Sequence, residues 1–278
     1  MKKIAALIPT LVLCASLPVV AQTTLTPQVS GNTLTASVQL APTIDLDLTL
    51  TFEQVIGLNA NSLSLTAGLV SPTDASILSR FPDPASISIP TAFPVLIRIE
   101  PAAGTGLAFS GVYKLALHTH ALTLVTNSPF RLFKSHGGGP FLDITTSLDA
   151  GSIRPGGTDG CMSEFLVVAD VRPIDTVING KFDALQNVLT SSSSSIAPAV
   201  YGDLQSRLSQ ARATYNQGAI PSAITAIAAF SDQVKQQSGA GIPDVWQASG
   251  TLVNVAGALR GAADTLKFSL TCKSNGAQ

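Results

Sequence analysis

The sequence predicts an α+β protein: an N-terminal antiparallel β-sandwich followed by a C-terminal antiparallel helical bundle. Three observations carry this expectation. Apolar and polar residues alternate through much of the stretch from Leu25 to Val171. After Arg172-Pro173 the apolar spacing becomes that of helices, and from Leu266 to Cys272 the alternation returns. The chain is therefore expected to leave a sheet, form helices, and return to the sheet as a final strand.

The first element is an address. Lys2 and Lys3 precede the apolar run Ile4 to Leu17, and Val19-Val20-Ala21 places small or β-branched residues before Gln22, so residues 1–21 read as a cleaved signal peptide. The run is interrupted by Pro9 and Pro18 and is too short for a lasting membrane anchor, which needs about 20 apolar residues. Cys14 raises the rival reading of a lipoprotein signal. Leu13 stands before it, where such a signal resembles one wanting Gly, Ala or Ser, and an unlipidated product starting at Gln22 is the reading adopted. The expected location is the periplasm, the cell surface or the extracellular space, with no transmembrane span after signal removal.

The β-sandwich is expected over residues 22–173. Gly31-Asn32 reads as a hairpin turn before Leu34, Ala36, Val38 and Leu40. Next, Ile44, Leu46, Leu48, Leu50 and Phe52 face one way while Asp45, Asp47, Thr49 and Thr51 face the other, the pattern of a half-buried antiparallel strand. Further strands are expected at Ser62 to Thr66, Phe93 to Glu100, Val112 to Val125, Phe130 to Phe133, Phe141 to Thr145 and Ser163 to Val171. Pro72 to Arg80 reads as a short helix, while Ser135 to Pro140 and the glycine-rich Gly151 to Gly160 read as loops.

The helical bundle is expected over 174–264. Its stripes are Ile174 to Leu189, Leu204 to Tyr215, Ala223 to Val234, and a fourth from Pro243 through Trp246 and Leu259 to about Asp264. Residues 265–278 form the returning strand and tail. Cys161 precedes the last strand of the sheet and Cys272 ends the returning one, so a Cys161–Cys272 disulfide is expected across 111 residues. In the chain-entropy model such a link is worth about 4 to 5 kcal/mol. The spacing suits neither a redox pair nor a zinc site.

The run Leu204, Leu208, Ala211, Tyr215, Gly218, then Ala223, Ile224, Ile227, Phe230, Val234, Ser238, Gly239 and Ile242, resembles the FIMAH-type helical module of bacterial secreted and cell-surface proteins. The resemblance covers roughly the last third of the chain and implies an extracytoplasmic accessory module, with no catalytic residue to carry over. Ile242 to Trp246 and the segment Leu266 to Cys272 depart from that pattern. The whole chain also resembles uncharacterised secreted proteins of Gram-negative bacteria.

Chemistry has few candidate positions. Only 12% of the 278 residues are charged and the formal net charge is -1, which excludes a highly charged disordered chain and leaves no basic surface for nucleic acid. His118 and His120 share a strand face as a metal pair would, with His136 the remaining histidine, but no Asp, Glu or Cys lies close to them in sequence. A polar stripe on a solvated face is the preferred reading, with no metal and no cofactor. Asp45 and Asp47 read the same way. The Ser135 to Pro140 segment has the glycine content of an oxyanion loop without a Gly-x-Ser-x-Gly elbow, and Gly151 to Gly160 lacks the lysine of a phosphate loop. Trp246 reads as a packing residue rather than a sugar platform. The expected function is a non-catalytic binding or structural role toward an envelope or extracellular protein or glycan. The alternative is a secreted hydrolase or carbohydrate-acting enzyme whose site is assembled from distant residues.

Overall fold

The computed structural model describes residues 22–102, 104–123, 128–149, 152–250 and 252–276. Residues 1–21, where the signal peptide and Cys14 were expected, and the last two residues lie outside them. In chain order the elements are β1 (Gln22–Thr24), β2 (Gln28–Ser30), β3 (Thr33–Ala41), β4 (Ile44–Ile56), β5 (Leu63–Leu69), α1 (Ala75–Leu78), β6 (Ile87–Ser88), β7 (Val95–Pro101), β8 (Ala108–Thr123) and β9 (Phe130–Ser135). There follow β10 (Leu142–Asp143), β11 (Thr145–Asp149), β12 (Ser152–Asp159), β13 (Glu164–Asp170), α2 (Ile174–Ser191), α3 (Pro198–Asn216), α4 (Ile220–Gln237), β14 (Val245–Gln247) and α5 (Val255–Ser274).

Two antiparallel sheets result. The first has the order β1-β5-β7-β13-β9-β10, with β6 also on β13; the second has the order β11-β12-β8-β4-β3-β2, with β14 also on β8. The alternation in β4 explains why they meet. Leu46, Leu48, Leu50 and Phe52 are buried and share one core with Leu63, Leu65, Val95, Ile97, Ile99, Phe165 and Val167 of the first sheet. Each such side chain contributes about 1.5–3 kcal/mol by leaving water. The far face of the first sheet is covered by the α1 segment, where Phe81 packs on Phe133 and Phe141.

The helices carry a third core. Ile178, Phe182, Leu185 and Leu189 of α2 join Leu204 and Leu208 of α3, Ile227 and Phe230 of α4, and Leu259, Ala263, Leu266 and Leu270 of α5. None of the helices among the described residues is long and apolar enough to cross a membrane.

Three expectations are corrected here. The segment Leu266 to Cys272 is not a returning strand: it lies inside α5, which runs through the expected boundary at Asp264. Leu259, Ala263, Leu266 and Leu270 recur at helical spacing, and that stripe overrides the shorter two-residue alternation. Nor does a helix start at Pro243. Residues Val245–Gln247 pair with Ser110, Phe109 and Ala108 of β8, and α5 begins only at Val255, where the Asn254 side chain accepts a hydrogen bond from Gly257 N at 2.7 Å. The chain does return to a sheet, but through Trp246 rather than through Cys272. Lastly, most of Gly151 to Gly160 is strand β12. Its glycines are there for proximity: a Cβ at Gly157 would lie 2.7 Å from Ile144 Cδ1 and 2.8 Å from its carbonyl oxygen.

The expected disulfide is also absent. The two cysteines among the described residues, Cys161 and Cys272, are free thiols. Once Leu266 to Cys272 is helical, Cys272 flanks the helical core. Cys161 instead receives a hydrogen bond from Lys134 Nζ at 2.9 Å.

Candidate functional site

The outward face of the second sheet is built by period-two alternation in three strands. Antiparallel register sets Ser37 beside Asp47, and Asp47 beside His118; Thr33, Thr51 and Lys114 form another such row. The candidates expected to be independent are thereby brought together in pairs. Asp47 accepts from Ser37 Oγ at 2.7 Å and from His118 Nδ1 at 2.9 Å. Asp45 accepts from His120 Nδ1 at 2.5 Å, from His120 N at 2.9 Å and from Thr119 Oγ1 at 3.2 Å. The two imidazoles meet edge to face, with centroids 4.7 Å apart.

These contacts set the electrostatics. Hydrogen bonds from Ser37 and His118 hold the Asp47 carboxyl below its ordinary value. Burial works against the same shift at Asp45, but the hydrogen bonds from His120 and Thr119 prevail and lower it too. Each imidazole gives its Nδ1–H to a carboxylate, so Nε2 is the acceptor nitrogen of the neutral ring. His118 Nε2 is buried and has no hydrogen-bond partner among the described residues. Ser37 binds Asp47 rather than His118, so the three side chains do not form a serine–histidine–aspartate relay. Among the described residues no group of three or more His, Cys, Asp or Glu is arranged to hold a metal ion.

Alongside this face runs a groove of about 460 Å³, between the second sheet and α5. Ala116, Gly156 and Gly157 line its sheet side, where small residues leave space. Lys114, Ser147 and Thr158 also face it from the sheet, and Asp264, Lys267 and Phe268 from α5. A smaller hollow of about 240 Å³, lined by Asp47, Thr49, Ala116, Leu117 and His118, adjoins it at Ala116. Burial pushes the Asp264 carboxyl up, although Arg260, Lys267 and Lys114 pull the other way. Thr158 Oγ1 donates to Asp264 Oδ2 at 3.4 Å.

The close seat of α5 creates the groove. Gly257 and Gly261 present no Cβ, and one built at Gly261 would stand 2.8 Å from the Thr158 carbonyl oxygen. Asn254 Nδ2 donates to the Gly111 carbonyl at 2.6 Å, and Arg260 reaches Glu53 on β4 at 2.6 Å. Glu53 sits over Gly111, whose φ of 73° marks a break in β8 that would be strained with any side chain.

The remaining candidates lie elsewhere. His136 follows β9 of the first sheet, its Nδ1 near Met162 O (3.3 Å) and Ser163 Oγ (3.2 Å). Trp246 packs its ring on Phe109 at 5.1 Å, from a strand rather than a helix. Burial pushes both the Cys161 and Cys272 thiols up, and Asp159 adds to this at Cys161. Lys114, Ala116, Asp264 and Lys267 were not apparent as a site, because the groove depends on a helix docking onto a sheet more than a hundred residues away, as in the Thr158–Asp264 contact. The one local signal is that Asp264 and Lys267 stand three apart on a helix face.

A model described as Family of unknown function (DUF6689) matches residues 9–273. No curated protein and no solved structure matches the chain.

Proposed function

The chain belongs to this family of unknown function, whose match spans both the sheets and the helices, and from the groove that the two halves build together we propose an exported, non-catalytic binding protein for a glycan. In this reading the two sheets form a β-sandwich that serves as a platform, and the helical part acts as a wall rather than as an independent accessory tail. In the same reading residues 1–21 direct the chain out of the cytoplasm, and mass spectrometry of the secreted form is expected to find Gln22 first and unlipidated.

One observation carries the proposal. A groove of about 460 Å³, within the usual range for small-molecule sites, is lined by Lys114, Thr158 and Gly156 from the sheet and by Asp264, Lys267 and Phe268 from α5. Hydroxyl, carboxylate and ammonium groups suit the donors and acceptors of a saccharide, and Phe268 offers it an apolar surface.

The experiment is a saccharide-array screen with the purified protein and an Ala116→Trp variant. Ala116 is exposed, so the substitution fills the groove at a stability change of about 0.5 kcal/mol or less. Binding lost at least tenfold in Ala116→Trp, with an unchanged thermal midpoint, supports the reading. Undiminished binding by that variant overturns it.

A second reading, a hydrolase, draws on the Asp47–His118 pair with its unpartnered Nε2. It requires that the protein cleave a saccharide that it binds and that His118→Gln lose cleavage while retaining binding.

A further inference from the structure

Four of the six lysines among the described residues sit on a carboxylate. Lys134 stands on Asp159 at 2.5 Å, Lys181 on Asp143 at 2.6 Å, Lys235 on Glu53 at 3.2 Å and Lys273 on Asp175 at 2.6 Å. Lys114 and Lys267 have no carboxylate within 4 Å among the described residues, and both line the groove beside α5. In a chain with so few charges, two ammonium groups from distant elements that line one concavity without a carboxylate in direct contact are a specific feature. Resting on the glycan reading above, we infer that the groove selects an acidic saccharide, holding a carboxylate or sulfate of the sugar between Lys114 and Lys267.

The surrounding groups agree with that assignment. The acidic side chain in the same wall, Asp264, has its carboxyl pushed up by burial and accepts a hydrogen bond from Thr158 Oγ1 at 3.4 Å rather than one from either lysine. Arg260, close enough to act on Asp264, is engaged by Glu53 at 2.6 Å, a carboxylate that it shares with Lys235 at 3.2 Å. At the opposite end, beyond Ala116, Asp47 and His118 supply acceptors for sugar hydroxyls rather than for a second anion. An acidic peptide is disfavoured by position. The groove lies over the sheet's face, where β8 is already paired with β4 and β12, so no free strand edge is presented for backbone pairing.

Calorimetric titration of the purified protein tests the inference with four probes: digalacturonate, a sulfated disaccharide, the neutral disaccharide cellobiose, and tetraglutamate. The expected result is that digalacturonate or the sulfated disaccharide binds at least tenfold more tightly than cellobiose, the stronger of the two identifying the anionic group. That preference falls at least tenfold in Lys114→Gln/Lys267→Gln and weakens as salt rises from 50 to 500 mM. Both positions are exposed, so the double variant is expected to fold, and an unchanged thermal midpoint verifies it. Equal affinity for the neutral and acidic sugars, lost in Ala116→Trp but not in the lysine variant, overturns the acidic preference while leaving the glycan site standing. Preference for tetraglutamate, or no binding of any probe, overturns both.

Discussion

Lys181 and Asp143 place two full charges where water does not reach. Their side chains are 7% and 3% exposed, and they meet at 2.6 Å. Lys181 also donates to Thr265 O, Thr265 Oγ1 and Ser269 Oγ, so its hydrogen bonds tie α2 to α5 while its charge ties both to β10. Removing one partner leaves the other charge buried and unpaired, and Lys181→Met is expected to lower stability by about 3 to 5 kcal/mol in urea unfolding. Burial alone would raise the Asp143 carboxyl, but Lys181 and Thr145 outweigh it and hold it below its ordinary value. A depressed carboxyl stabilises the fold above its unfolded pKa, about 3.9, and that contribution is lost as pH falls through the lower folded value. Thermal midpoints between pH 6 and pH 2.5 are expected to show this loss in the wild type and less of it in Asp143→Asn.

Asp264 has the opposite sign. Its pKa is raised by burial, so the ionised form is disfavoured in the folded protein, and stability is lost as pH rises from the unfolded value through the folded one. Asp264→Asn is therefore expected to raise the thermal midpoint at pH 7, with the gain fading toward pH 3.5. A wild-type carboxyl that destabilises its own fold is consistent with a role in the groove.

At the scale of the element, α5 shows what was and was not legible. The inward row of β4 and the helices α2, α3 and α4 follow directly from period, because each buries one face against a neighbour. Residues Leu266 to Cys272 satisfied two periods at once, and only the buried stripe from Leu259 onward distinguishes them. Strand β12 was hidden by its glycines and proline, and Trp246 by neighbours that suit either structure. The Asp–His pairs were half legible: alternation assigned all four side chains to outward faces, but register alone makes Asp47 a neighbour of His118. Glycine position makes a test of the α5 seat. Gly261→Val would push a side chain into the β12 backbone and is expected to cost about 1–3 kcal/mol. Gly180→Ala in α2 and Gly202→Ala in α3, where a Cβ meets nothing within 4 Å, are expected to stabilise by about 0.5–1 kcal/mol in the same denaturation assay.

At the scale of the whole molecule, the helical part is not an appendage. β14 pairs with β8, Arg260 reaches Glu53, Asn254 reaches Gly111 and Lys181 reaches Asp143. With this much shared between the halves, calorimetry is expected to show one unfolding transition, and two well-separated transitions would show instead that the halves fold independently. No covalent link contributes to that unity, since both described cysteines are free. Adding a reductant is expected to leave the midpoint unchanged, and Cys161→Ser/Cys272→Ser to run identically with and without it.

The contacts of α5 also bear on the order in which the protein can be made. Asn254 bonds to a carbonyl 143 residues earlier in the chain, and Arg260 to a carboxylate 207 residues earlier. Loops of that length close slowly, and neither can close before the ribosome has passed those positions. A nascent chain halted before Val255 holds β8 and β12 with one flank open to water, however long its sheets have been outside the tunnel. Such chains are expected to stay sensitive to protease, with resistance arriving only once α5 has been made.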